Sequence, residues 1–316
     1  MTTLADLAEL VRAPAALSVP GDVVAGAAAA GALGPRTPAL AGASVLLYWA
    51  GMAANDWADR GLDAVERPER PIPSGRITPA AAVGLAAGLT AAGVGLAAVA
   101  GGRRAAALAV PLAATIWGYD LLAKNTAAGP AVMAACRGLD VLLGASGGRV
   151  TRALPAAVTV AAHTWTVTAL SRREVSGADA ALPMRTLAGT ALVAASAAIP
   201  HARRVAARAA DRNEATAQGP ADALGAGAGR TRSARVAAVL PAVLAGWYAA
   251  RYGAAQAEVI RDPSAGRVRA AVGAGITGLP ALQGALTARG GAGLLGVAVA
   301  AAAPLGRRLA RKVSPT

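Results

Sequence analysis

Residues 55 to 75 read NDWADRGLDAVERPERPIPSG, and within this stretch four of the chain's 17 acidic residues fall between Asp56 and Glu66. Asn55, Asp59 and Asp63 are spaced i, i+4, i+8, and Asp56 meets Asp59 and Asp63 at i+3 and i+7. At 3.6 residues per turn all four share one broad helical face. Like charges so placed repel, and at a helix C-terminus they also oppose the dipole. They need a cation. Oxygen ligands in this density suit a hard one, and Mg²⁺ held by one or two carboxylates plus substrate phosphate is a common arrangement. The alternative is a solvated acidic helix end. Just downstream, ERPERPIPSGRITP sets Arg67, Arg70 and Arg76 in a proline-stiffened loop. Arginine pairs bidentately with phosphate oxygens, although each arginine alone serves equally well as a membrane-side anchor. A metal-binding face beside a rigid arginine loop is what a diphosphate ester needs.

The elements that position these residues are apolar and long. Of 316 residues, 55% are hydrophobic and 15% charged, against roughly a quarter charged in soluble domains. Apolar runs of about 17 to 25 residues recur, enough to cross a bilayer core. An Ala-rich soluble bundle would show polar stripes every third or fourth residue, and 80–100 and 291–303 have almost none. The expected fold is all-α: a polytopic transmembrane bundle of about nine spans, forming one domain over 1–316. Spans are expected near 15–34, 38–57, 78–100, 104–122, 128–147, 153–170, 182–201, 235–252, 268–288 and 291–306, the last two being the weakest. Pro280 is expected to tilt or break the ninth, and 202–234 to form a polar loop. Thr78 and Pro79 should be N-cap and first residue of their helix.

The net charge of +14 sits at helix ends and in loops, which points to anionic lipid rather than nucleic acid. Four spans separate the arginine-bearing loops 58–77 and 171–181, so both face one side, and their charge makes that side cytoplasmic in a cell (inner) membrane. The 202–234 loop then falls outside despite Arg203, Arg204, Arg208 and Arg212. A lone Cys136 excludes an internal disulfide. The first residues, MTTLADLAELVRAP, lack a basic n-region and cleavage site and read as a short amphipathic helix at the membrane surface.

NDWADRGLD followed by RPERPIPSGRIT strongly resembles the first motif of the UbiA-type membrane prenyltransferase superfamily, Asn-Asp-x-x-Asp-x-x-x-Asp with its trailing Arg-Pro segment. The resemblance implies a helical bundle around a central cavity, where an isoprenyl diphosphate ionises with Mg²⁺ and alkylates an acceptor. It implies that Asn55, Asp56, Asp59 and Asp63 hold metal, with Asp56 and Asp59 central to catalysis, and that Arg67 and Arg70 lie near the diphosphate. WGYDLLAKNTAAGP is similar to the family's Tyr-then-Lys loop, giving Tyr119 and Lys124 as diphosphate ligands, the lysine one residue later than the commonest spacing. The family's second acidic motif departs further: SRREVSGADAALP offers only Glu174 and Asp179. Glu174 is the better metal-ligand candidate, with Arg172 or Arg173 taking diphosphate charge directly.

Within the spans, His163 either lines the cavity or, the favoured reading, is hydrogen-bonded between helices. Arg137 and Asp140, i and i+3, form either an ion pair or a polar wall for the acceptor. The resulting reading is Mg²⁺-dependent transfer of an isoprenyl group from a prenyl diphosphate to a small aromatic or alcohol acceptor. The weak second motif keeps open a non-catalytic membrane component that binds or exports a prenylated lipid.

Overall fold

Every regular element in the computed structural model is helical among the residues it describes, which are 2–13, 18–179, 181–199 and 223–302, with backbone alone for 223–237. In chain order they are α1 (Leu4–Leu10), α2 (Pro20–Ala30), α3 (Thr37–Ala58), α4 (Arg60–Glu66) and α5 (Pro79–Gly118), followed by a π-helical turn (Tyr119–Ala123). Then come α6 (Gly129–Gly144), α7 (Leu154–Ser171), α8 (Ala181–Ala198), α9 (Ala223–Arg261), α10 (Ala265–Arg289) and α11 (Gly293–Ala302).

Two antiparallel arms make up α5. Gly102 has φ 66° and ψ −158°, a backbone state that glycine enters readily and other residues resist. Trp117 Nε1 donates to Thr90 Oγ1 at 3.1 Å, whereas a straight helix would hold residues 27 apart about 40 Å from each other. The arms are the two expected spans 78–100 and 104–122. Counting them separately, nine helical segments of 11 or more residues occur among the described residues, against about nine expected spans. Three described stretches are long and apolar enough to cross a membrane, namely Thr37–Ala58, Pro79–Ala123 and Val150–Ser171. Others fall short in length or mean hydropathy; α6 has 16 residues and includes Arg137 and Asp140. Large side chains such as Val99, Val110, Val158 and Trp165 point outward, where lipid replaces water. The chain is an all-α, multi-pass membrane protein.

Several boundaries differ from expectation. Helix α2 has 11 residues, about 16 Å, because Gly31 caps it in the left-handed region (φ 70°); residues 15–17 of that expected span lie outside the described residues. Of the expected 202–234 loop, 202–222, with its four arginines, likewise lies outside them. From Ala223 the chain is helical, not a loop, and the expected span 235–252 sits inside a 39-residue helix. Alanines and arginines sustain that helix through its glycines, and no proline interrupts it before Pro241. Pro280 does not break α10. The ends of the spans at 182–201 and 291–306, residues 200–201 and 303–306, are outside the described residues.

Close packing relies on small residues, as is usual between membrane helices. A Cβ on Gly26 of α2 would lie 1.8 Å from the Val141 carbonyl oxygen of α6, and one on Gly144 of α6 2.0 Å from that of Val23. Loops 58–77, 119–128 and 172–179 gather at one end of the bundle. Lys124 meets Asp59 there, Arg172 donates to the Thr126 carbonyl, and the Ala178 amide bonds the Pro263 carbonyl at 3.0 Å. The two arginine-bearing loops therefore lie on the same side, as their span count requires.

Helix α1 docks at this end. Leu10 is fully buried among Ile72, Ile77, Ala82 and Trp57, a contact worth about 1.5–3 kcal/mol. Arg76 holds it from the loop, 2.7 Å from both Asp6 and Glu9. The Thr3 amide and hydroxyl donate to Asp6 and, with Arg76, hold its carboxyl down at about 2.

Candidate active site

The acidic face is built by an unbroken backbone ladder. Asp59 N–H bonds the Asn55 carbonyl at 2.9 Å, Asp63 N–H the Asp59 carbonyl at 2.8 Å, and Arg67 N–H the Asp63 carbonyl at 2.8 Å. Helical register thus carries through the junction of α3 and α4, where Asp59 is the cap (φ −86°, ψ 1°). The next loop is fixed by core contacts: Ile72 and Ile77 are buried, and Ile77 N–H reaches the Pro71 carbonyl at 2.9 Å. Thr78 caps α5 by accepting from Ala81 N–H, and Pro79 begins the helix, as expected.

This frame places a cation on each carboxylate. Arg70 bridges Asp56 (3.0 Å) and Asp63 (2.9 Å), both almost fully buried. Arg67 stands 3.5 Å from Asp63 and is half exposed. Lys124 Nζ lies 2.6 Å from Asp59. The π-helical turn that carries Tyr119 thus brings the lysine back over the acidic face, despite its shifted spacing. Arg172 is bonded to the loop that follows this turn, donating to the Thr126 carbonyl.

Two members of the site were not legible in the sequence reading. Arg12, just past α1, lies 2.6 Å from Asp56 and is the one described non-glycine residue with positive φ, 45°; such strain tends to collect at functional positions. Asp120 is buried and accepts from the Asn55 amide at 3.0 Å. Its signal was adjacency to Tyr119. A cavity of about 210 Å³ opens beside these groups, lined by Arg12, Tyr48, Asn55, Tyr119 and Asp120 with an apolar wall of Met52, Ile116, Met133 and Cys136. Four carboxylates, Asp56, Asp59, Asp63 and Asp120, therefore stand against four cations, Arg12, Arg67, Arg70 and Lys124.

The second acidic segment is placed differently. Arg269 of α10 donates to the Glu174 backbone carbonyl at 2.8 Å, and partial burial lifts the Glu174 carboxyl above its ordinary range while Arg269 opposes the lift. None of the described ion pairs or hydrogen bonds joins Glu174 to the aspartates. Asp179 accepts from Leu182 N–H at 2.9 Å, a cap for α8. Arg137 and Asp140 do not pair with each other. Arg137 Nε meets Asp22 at 2.7 Å and Asp140 takes the Ser44 hydroxyl, because α2 and α3 supply nearer partners across the interface. His163 is hydrogen-bonded between helices, its Nδ1 2.8 Å from Tyr248 Oη.

Comparison with known proteins shows the family and the fold. The sequence profile of the UbiA prenyltransferase family matches residues 18–255. The digeranylgeranylglyceryl phosphate synthase of Methanothrix thermoacetophila is 57% identical over 49 residues, 15% of this chain and 18% of that protein. The same-named protein of Natronomonas pharaonis is 41% identical over 85 residues, 26% of this chain and 31% of that protein. The chain thus matches less than a third of the length of these curated relatives. Among solved structures, one described as giving structural and mechanistic insights into digeranylgeranylglyceryl phosphate synthase in membranes superposes with TM-score 0.63 at 14% identity, covering 90% of this chain and 97% of that one. The apo structure of a UbiA homologue from Aeropyrum pernix K1 gives 0.55 at 20% identity, covering 89% and 96%. With its profile matched across most of its length, the chain belongs to the UbiA prenyltransferase family.

Proposed function

We propose that this protein transfers an isoprenyl group from a prenyl diphosphate to the hydroxyl of an acceptor within the membrane, with Mg²⁺ as cofactor. The observation that supports it best is the arrangement of Asp56, Asp59 and Asp63 with Arg70 and Lys124 beside a cavity with an apolar wall. The relatives named for digeranylgeranylglyceryl phosphate favour a glycerol phosphate ether as acceptor over a small aromatic ring. The arginine-rich end carrying the site is taken as the cytoplasmic side, and the chain as one membrane domain.

The donor set fits magnesium. Among the described residues no three acidic, His or Cys side chains converge closely enough to enclose a metal by themselves, but Mg²⁺ needs only one or two carboxylates when substrate phosphate completes its shell. Asn55, Asp56, Asp59 and Asp63 would hold it, with Glu174 as the candidate from the facing loop. Bound there, it would neutralise charge on the diphosphate. The chain's own groups do the rest. Arg67, Arg70, Tyr119, Lys124 and Arg172 bind and orient the diphosphate, and the fixed positive charge of the three arginines and the lysine favours the anion that develops as the C1–O bond breaks. Met52, Ile116 and Met133 keep water from the allylic cation.

The assay uses detergent-purified protein, Mg²⁺, labelled geranylgeranyl diphosphate and either a monoalkylglyceryl phosphate or a hydroxybenzoate. The expected product is the dialkylglyceryl phosphate. If neither acceptor is alkylated and no diphosphate is released, the non-catalytic lipid-binding reading takes its place; that no described ion pair or hydrogen bond joins Glu174 to the aspartates favours that second reading.

Within this proposal, Glu174→Gln should raise the Mg²⁺ concentration for half-maximal activity several-fold, since an amide binds a hard cation less well than a carboxylate. Asp179→Asn should leave it unchanged, because asparagine caps a helix about as well as aspartate. A magnesium titration of both variants ranks them, and the reverse order removes Glu174 from the ligand set.

A further inference from the structure

One carboxylate of the site lacks a cation. Arg12, Arg67, Arg70 and Lys124 form ion pairs with Asp56, Asp59 and Asp63, and among the described residues none pairs with Asp120. Asp120 is 6% exposed and lines the cavity. The Asn55 amide holds one of its oxygens, Oδ1, at 3.0 Å. The other, Oδ2, accepts no hydrogen bond among the described residues, and unlike the buried unpaired atoms of the bundle it is not sealed from the cavity. Gly51 keeps it uncovered. That glycine also lines the cavity, and a Cβ there would stand 3.5 Å from Oδ2 and 2.5 Å from Ile116 Cγ2. The apolar wall of Met52, Ile116 and Met133 offers no side-chain donor. A carboxylate oxygen is costly to leave unpaired in such surroundings, so a ligand must bring the partner. Its charge decides what kind. It repels diphosphate and attracts a donor, and of the two proposed substrates only the acceptor carries an alcohol O–H.

We infer that Asp120 is an acceptor-binding residue, its free Oδ2 accepting a hydrogen bond from the alcohol O–H of the acceptor. The class of acceptor, a glycerol phosphate ether, rests on the transferase reading; the binding preference expected below does not need turnover. Asn55 ties the carboxylate to the acidic face, so the bound hydroxyl is held at the end of the cavity where the diphosphate is proposed to sit. A hydrogen bond to a charged group is stronger than one between neutral groups. An analogue that cannot donate leaves the carboxylate unpaired and binds less well.

The test reads binding. Full-length protein in detergent, with Mg²⁺ and inorganic diphosphate filling the diphosphate site, is titrated calorimetrically with a 1-O-alkylglycerol 3-phosphate and with its 2-O-methyl ether. The ether keeps the oxygen and loses the proton. The wild type is expected to prefer the free alcohol by about tenfold or more. In Asp120→Asn the amide oxygen stays on Asn55 and the NH₂ faces the cavity. Alcohol and ether both accept from that donor, so the preference should shrink to about twofold or less. Asp120→Ala, which offers neither donor nor acceptor, should also bind the two alike, and thermal midpoints check that both variants fold. Mn²⁺ affinity, measured by electron paramagnetic resonance without acceptor, should be unchanged in Asp120→Asn. A wild type that binds neither compound, or binds both equally, overturns the inference. So does a preference that survives in a folded Asp120 variant, since the bulk of the methyl group then accounts for it. Weakened Mn²⁺ binding in Asp120→Asn overturns it too, because the carboxylate would then serve the metal. A wild type that discriminates through Asp120 but never transfers keeps this site and removes the transferase reading. One that transfers, with its preference indifferent to Asp120, does the opposite.

Discussion

Asp59→Asn is expected to lower prenyl-diphosphate turnover by roughly 10²–10³-fold, the scale seen when one electrostatic contact to a developing charge is removed, while the protein stays folded in detergent. Asp59 keeps the α3–α4 junction through its backbone, whose N–H bonds Asn55 and whose carbonyl takes Asp63 N–H. An amide of the same shape leaves both bonds in place. The side chain, by contrast, faces the charged groups of the site, with its oxygen 2.6 Å from Lys124 Nζ. The substitution removes a candidate metal ligand and frees the lysine from its counter-charge in a single step. Steady-state turnover, with size-exclusion and circular dichroism as controls for folding, decides the matter. Activity within about threefold of wild type would remove Asp59 from the machinery.

Arg70→Gln is expected to strike stability as well as activity. Arg70 is 21% exposed and, among the described residues, is the one side chain shared by Asp56 and Asp63, which are 5% and 2% exposed. Removing one partner of a buried ion pair costs about 3–5 kcal/mol. Here Arg12 still reaches Asp56 and Arg67 stands 3.5 Å from Asp63, so about 2–3 kcal/mol is the expected loss. Adding Asp63→Asn should recover much of the thermal midpoint, since it removes the stranded charge, and should not recover turnover. Should the double variant regain activity, Arg70 serves the fold and not the diphosphate. Arg70→Lys should fall between, because a single ammonium cannot span two carboxylates as a guanidinium fork does.

Local chemistry made part of this protein readable in advance. Helical periodicity alone put Asn55, Asp56, Asp59 and Asp63 on one face, and the backbone ladder through Asp59 keeps them there. Thr78 and Pro79 announced their helix start because capping depends on neighbours in sequence. Apolar run length gave the spans where the runs were long and uninterrupted. It misjudged α2, which a left-handed Gly31 cuts short, and the segment from Ala223, where glycines suggested a loop and the chain is helical.

Contacts between distant segments were a different matter. Arg137 was read against Asp140, three residues away, yet the bundle offers Asp22 and Ser44 from α2 and α3, and the pairing follows proximity in space. Arg12 comes to the aspartates only because Leu10 is buried under the loop and Arg76 grips Asp6 and Glu9. Asp120 gains its place from a π-helical turn at the end of the α5 hairpin. The sequence by itself determined the membrane helices and the acidic face, since both rest on periodicity and composition within one segment. Which cation neutralises which carboxylate, and where the cavity opens, was decided by tertiary structure, because those outcomes depend on how separate helices pack.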